Sequence, residues 1–412
     1  MGRNRQPTIL VLSQVYPPDP AAVGQYMHDA AAELARRGWR VIVYCANRGY
    51  NDPSQRYAAR EIRDGVEIRR LPLSSFGKRS IPARIIGALS LLFQATLRGL
   101  FVPKLDAILV STSPPMCSAA AWAIATLRRR VSITYWVMDI NPDQMVEMGL
   151  TKANSPLVKV FDWFNRRVLK RARHVVTLDR FMAERMLRKA DIRDKLTVAP
   201  PWPLEDHLKI VPHAENPFRR EHKLDGKLVI MYSGNHSVFT PLRTVLEAAI
   251  RLRDDDRLRF MFIGGGSGKP EVDRAIAEHG LANVISLPYQ PLERVKYSLS
   301  AGDVHLVVLG DAEVGVRHPC KIYGAMALAR PTLLLGPEPS HVSDLVRELK
   351  IGWHIRHGEV DEAVAAIGQM LEGDPSELAA MGERARREVD RELNVTTLRG
   401  RFCDLIEQDR PR

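Results

Sequence analysis

Lys321 follows His318, Pro319 and Cys320 and opens a run of Ile322, Tyr323, Ala325, Met326 and Ala327 with the spacing of a short helix. A lysine beside the free N–H groups of a helix start makes a site for an anion such as a diphosphate. Pro319 suits the first turn, where its missing N–H would have no partner. Upstream lie an apolar run, 303–309, and a polar loop with Asp311, Glu313 and Arg317; downstream, Arg330 and Pro331 lead into a second apolar run. The helix therefore begins beyond the C-terminal end of a parallel strand, where ligands bind in open α/β sheets. The plain alternative is a surface lysine on an ordinary loop, and three further segments weigh against it.

Each of those segments follows a strand-like run in the second half of the chain. Ser233, Gly234 and Asn235 make a turn of the kind that cradles phosphate. Gly264, Gly265 and Gly266 come next, with Ser267 and Gly268, and so many glycines in succession are costly to order. The third run ends at Pro288, Tyr289 and Gln290, where a base could lie against Tyr289. All three loops and Lys321 fall on one edge of one predicted sheet, and together they predict a nucleotide site.

The first half offers a different set. After the first run come Tyr16, Pro17 and Pro18, then Ala21, Ala22 and Gly24, small residues that let a ligand approach the backbone before a helix. The run 131–138 ends at Asp139, Ile140, Asn141, Pro142 and Asp143. Two carboxylates there could orient an acceptor hydroxyl or take its proton, although Asp143 could equally cap the next helix. The triplet Asp254, Asp255 and Asp256 sits on the wrong edge of its sheet for a metal site, and no His/Glu cluster has ligand spacing.

Holding these residues requires alternating strands and helices. Strand-like runs at 8–13, 40–46, 66–71, 106–111, 131–138 and 174–178, then 227–232, 258–263, 283–287, 303–309 and 331–335, alternate with helical patterns, the mark of parallel βαβ units. A proline-rich stretch at 200–217 reads as a linker. The expected fold class is α/β, two facing Rossmann-like domains with parallel sheets: an acceptor domain at 1–205, a nucleotide domain at 206–390, and a C-terminal helix at 391–412 packing back on the first. Four scattered cysteines give neither a zinc pattern nor a disulfide framework, and the start of the chain has no signal-peptide apolar region, so a reducing cytoplasm is expected.

A net charge of +12 calls for an anionic partner. No nucleic-acid motif is present, and the basic residues are spread over many helices. Residues 81–102 carry Ile85, Ile86, Leu89, Leu91, Leu92, Phe93, Leu97, Leu100 and Phe101, edged by Arg84 and Arg98. They are too interrupted to span a bilayer and read either as a helix buried under the first sheet or as an interfacial membrane helix.

Tyr16-Pro17-Pro18 with Gly24, the Ser233-Gly234-Asn235 turn, the Gly264–Gly266 loop and the block from Pro319 to Pro331 resemble the retaining glycosyltransferases of family 4, with the GT-B architecture. Pro-x-Lys-Ile-Tyr-Gly, then Met-Ala and Arg-Pro, is similar to a branch acting in bacterial surface-polysaccharide assembly, the colanic-acid and N-acetylfucosamine transferases. The resemblance departs at the family's usual pair of glutamates, which align here with Val316 and Gly324; Glu313 lies close by as a substitute for the first.

The resemblance implies transfer of a hexosyl or N-acetylhexosaminyl group from a sugar nucleotide to a lipid-linked acceptor, without a metal or other cofactor, at the inner face of the cell membrane. Gly234, Asn235, Gly265, Tyr289, Glu313 and Lys321 would bind the donor, and Tyr16, Gly24, Asp139 and Asp143 the acceptor. Lys321 and Asp139 would act in the chemistry. A sugar-nucleotide 2-epimerase and a non-catalytic partner subunit are the rival expectations.

Overall fold

A computed structural model describes residues 5–49, 52–76, 81–204, 209–237 and 240–411, and divides the chain into two compact units. The first comprises residues 1–201, 315–318 and 396–412, and the second residues 202–314 and 319–395.

The first unit is built on eight strands in the order β3-β4-β2-β1-β5-β6-β7-β8. These are β1 (Thr8–Leu12), β2 (Arg40–Ala46), β3 (Arg60–Arg63), β4 (Val66–Leu71), β5 (Leu105–Val110), β6 (Ser132–Val137), β7 (His174–Thr177) and β8 (Leu196–Val198). Central strands buried on both faces need near-continuous apolar runs, and all five residues of β1 are buried. The sheet is parallel except at one edge, where β3 pairs antiparallel with β4. That corrects the expectation of a purely parallel sheet: Asp64 and Gly65, both at positive φ, turn β3 straight back into β4.

Helices α1 (Ala22–Arg36), α2 (Ile81–Leu100), α3 (Cys117–Leu127), α4 (Asp143–Glu147), α5 (Pro156–Arg171) and α6 (Arg180–Lys189) connect these strands. Right-handed crossovers from β4 through β7 place α2, α3 and α5 side by side on one layer, and α3 packs against both neighbours. The stretch 81–102 is thus neither wholly buried nor spanning. Leu91, Ala95 and Val102 are buried, whereas Phe93 and Phe101 are 69% and 77% exposed. Among the described residues no helix is long and apolar enough to cross a membrane.

The second unit has six strands, all parallel, in the order β11-β10-β9-β12-β13-β14. They are β9 (Leu228–Ser233), β10 (Leu258–Ile263), β11 (Val284–Leu287), β12 (Val304–Val308), β13 (Thr332–Leu335) and β14 (Gly352–Ile355). Its helices are α7 (Pro217–Glu221), α8 (Arg243–Arg251), α9 (Lys269–His279), α10 (Leu292–Ser300), α11 (Lys321–Ala327), α12 (His341–Leu349), α13 (Val360–Glu372) and α14 (Pro375–Glu388). Phe260, Phe262, Leu258 and Ile230 form the centre of its core with α8 and α13.

The chain returns to the first unit through α15 (Val395–Glu407). Phe402 stacks on Trp136 of β6 with ring centroids 4.1 Å apart, and Trp39 Nε1 donates to Glu407 at 2.5 Å.

Candidate active site

In the second unit β9 sits between β10 and β12, so the connections leaving β9 and β12 diverge there. That divergence is the switch point at which open α/β sheets bind ligands. Gly234 follows β9, and Lys321 follows the loop after β12. The two meet: a Cβ added to Gly234 would lie 2.7 Å from Lys321 Cε and 2.9 Å from Nζ. Gly234 has φ +132°, a conformation an L side chain rarely adopts. Lys321 Nζ lies 4.7 Å from the Tyr232 ring centre and 3.3 Å from its hydroxyl. Among the described residues it has no carboxylate partner.

The glycine loop is folded onto the same turn. A Cβ on Gly264 would fall 2.0 Å from the Gly234 carbonyl, and one on Gly266 would fall 2.6 Å from Asn235 Oδ1. The His236 N–H donates to the Gly265 carbonyl at 2.8 Å, and the Tyr289 hydroxyl donates to that carbonyl at 3.3 Å. Tyr289 is 59% exposed, a free ring face at the strand edge. Gly234, Asn235, Gly265, Tyr289 and Lys321 are therefore gathered around one set of turns.

Glu313 differs. It is buried, and its Oε2 accepts the Gly310 N–H at 3.1 Å, so this carboxylate serves its own turn. Pro319 also departs from expectation: it precedes Cys320, the cap residue of α11, and so lies outside the helix. Among the described residues, no group of three or more His, Cys, Asp and Glu could hold a metal ion. His236, not singled out in the sequence, is fully buried under the turn. Burial pushes its pKa down to about 4, and its Nδ1 faces the Gly234 carbonyl at 3.0 Å.

In the first unit the corresponding switch point lies between β1 and β5. Asp139 follows β6; its N–H donates to Thr112 Oγ1 at 3.1 Å, and it makes an isolated bridge with Arg317. The Ile140 N–H donates to the Val316 carbonyl at 3.0 Å. Val316, aligned with a missing glutamate, is thus buried backbone support for the Asp139 loop. His318 Nδ1 lies 2.6 Å from Asp179 Oδ2, both side chains buried, which anchors this segment on the cap of α6.

Three of the expected acceptor residues carry structural duties. The Tyr16 ring is buried, and its hydroxyl lies 3.0 Å from His28 Nδ1, whose Nε2 lies 2.9 Å from Asp64 Oδ2. Burial raises the Tyr16 pKa well above its usual value. At Gly24 a Cβ would lie 3.1 Å from the Tyr16 backbone, so the bare position lets α1 pack on the chain leaving β1. Asp143 is the first residue of α4 but not its cap, and Lys189 binds it at 2.6 Å while also binding Asp162 at 2.6 Å. Of the four, Asp139 stands just beyond the C-terminal end of β6, at the edge of the sheet.

The glycosyl transferase 4-like domain family matches residues 21–202, and the glycosyl transferases group 1 family matches residues 214–388. The chain belongs to the family 4 glycosyltransferases. This glycosyltransferase is 26% identical over 400 residues to Escherichia coli K12 WcaI, whose name assigns it to colanic acid biosynthesis. That alignment covers 93% of this chain and 97% of WcaI. Anabaena HepE, solved with UDP-glucose, superposes with a TM-score of 0.72 at 15% identity, covering 97% of this chain and 99% of HepE. WaaG, a lipopolysaccharide biosynthesis glycosyltransferase, superposes with a TM-score of 0.70 at 14% identity, covering 97% and 99%. The fold of the glycosyltransferase is GT-B.

Proposed function

We propose that this glycosyltransferase moves a hexosyl or N-acetylhexosaminyl group from a nucleoside diphosphate sugar, with retention at the anomeric carbon, to a lipid-linked acceptor in surface polysaccharide assembly. The carrying observation is the Lys321 ammonium lying over the bare Gly234 turn at the switch point. A diphosphate placed there meets a cation with no carboxylate partner among the described residues, and the departing nucleoside diphosphate gains charge where that cation already stands. The charge is balanced by Lys321 and the turn amides, without a metal. Tyr289 offers a ring face to the base. HepE, which binds UDP-glucose, supports a uridine nucleotide, and WcaI supports a polysaccharide product.

On the acceptor side, Asp139 orients the attacking hydroxyl from the end of β6. The acceptor lipid places the protein at the cytoplasmic face of the membrane as a peripheral enzyme. Thermal-shift titration with UDP, GDP and ADP sugars tests the donor, because a ligand of the folded state raises its stability. Stabilisation by none of them, in wild type and Lys321→Ala alike, would sink the donor reading. The anomeric configuration of the product, read by NMR, decides retention.

A further inference from the structure

The face of the first unit formed by α2, α3 and α5 has an unusual composition. Residues 81–104, 117–130 and 156–171 contain eleven Lys and Arg and one acidic residue, Asp162. That excess of ten accounts for most of the chain's formal +12. Arg128 is used internally, donating to the Val102 carbonyl at 2.6 Å, and Arg171 donates to that of Val131 at 2.8 Å, which ties the ends of the helices together. Asp162 is taken by Lys189. The nine other basic side chains are exposed.

Among them stand large apolar side chains in the open. On α2, Ile86, Leu89, Phe93 and Leu97 recur at helical spacing, all exposed. On α5, Leu157, Val160 and Trp163 do the same, with the Arg167 guanidinium 4.8 Å above the Trp163 ring. The Trp122 ring of α3 lies 5.9 Å from that of Trp163, joining the two rows. A soluble surface leaves apolar side chains singly, whereas a basic rim around an apolar field suits an anionic bilayer.

At the end of α2 the face runs into a cavity of about 730 Å³ lined by Arg60, Arg69, Arg98, Tyr44, Leu97 and Phe101. Glu67 holds Arg69 at 2.7 Å, but Arg60 and Arg98 have no carboxylate partner among the described residues. A cavity with two unpaired guanidiniums and an apolar lip suits a phosphate that carries acyl chains.

We propose that the α2–α3–α5 face docks on an anionic phospholipid membrane, inserting Phe93, Leu89 and Trp163, with a lipid phosphate seated between Arg60 and Arg98. This deepens the lipid-linked acceptor reading by naming the surface that brings the enzyme to its substrate.

Vesicle flotation tests it without donor or acceptor, so its failure and a failure of the transferase reading are separable. The protein should float with phosphatidylglycerol-containing vesicles at low ionic strength, much less with pure phosphatidylcholine, and detach as salt rises. Leu89→Ser with Phe93→Ser should weaken partitioning by at least about tenfold. Arg60→Ala and Arg98→Ala should each weaken it about fivefold. Inorganic phosphate at matched ionic strength should not release the bound protein. Wild type that stays down with anionic vesicles at low salt overturns the proposal. So does equal flotation of the double serine variant, or release by phosphate. A concentration-dependent dimer abolished by the serine pair would make a second copy the occupant. Should the serine pair melt early, Arg98→Ala, at an exposed site, decides: unchanged flotation overturns.

Discussion

The Lys321 ammonium lies 3.3 Å from the Tyr232 hydroxyl, which itself donates to the Asn235 carbonyl at 2.7 Å. The lysine proposed to meet the diphosphate is therefore oriented by the turn that would hold it. Lys321→Ala should lower transfer by roughly a hundredfold, about 3 kcal/mol of transition-state stabilisation, and weaken UDP binding. Its melting temperature should stay near wild type. Steady-state kinetics with calorimetric UDP titration check both; wild-type turnover in a folded variant would remove Lys321 from the chemistry.

Gly264 has φ +126°, and its added Cβ would strike the Gly234 carbonyl. Gly264→Ala should cost at least ~2 kcal/mol and lower the melting temperature by roughly 4–8 °C. UDP-dependent stabilisation should shrink with it, because the two turns move together. Differential scanning calorimetry with and without UDP reads this; an unshifted melting temperature would contradict the close packing.

Asp139 and Asp143 should separate cleanly. Asp139→Asn should depress transfer roughly a hundredfold while UDP affinity stays within about twofold of wild type. Asp143→Ala releases one of the two carboxylates on Lys189, so it should cost about 1–2 kcal/mol of stability with kcat/KM little changed. A loss of UDP affinity in Asp139→Asn would move that residue to another role.

Acid should weaken the second unit. His305 in β12 and His236 beyond β9 are buried, and burial pushes each pKa down to about 4. Unfolding returns them to about 6.5, so the unfolded chain binds protons the folded chain refuses. Stability is full above about pH 6.5 and falls as pH drops toward 4, by roughly 1–3 kcal/mol per histidine. The urea midpoint should drop between pH 7 and pH 5, and His305→Gln, which keeps a donor for the Leu299 carbonyl, should flatten that slope. Parallel pH profiles for the two proteins would refute the assignment.

Strands with long apolar runs were plain in the sequence because both their faces are covered. Those with mixed runs were not. Gly352-Trp353-His354-Ile355 and Arg60-Glu61-Ile62-Arg63 become strands through edge pairing, which no local pattern announces. The close packing of the turns after β9 and β10 was legible for the opposite reason, since glycine runs are informative wherever backbones must touch. The Tyr16 contact with His28 was not legible, because an aromatic beside a Pro-Pro turn looks the same whether its hydroxyl faces a ligand or His28. Asp143 was hard to read because its partner Lys189, which also binds Asp162, reaches it from a helix far along the chain.

The return of α15 to the first unit has a consequence for synthesis. Phe402, Cys403 and Ile406 fill space beside Trp136 and Ala30, so that part of the core has no occupant until α15 has been made. A nascent chain emerging from the ribosome can complete its second Rossmann layer before its first. A stop codon near residue 395 would leave Trp136 without its α15 cover, and the lesion would appear more than 250 residues from the missing segment.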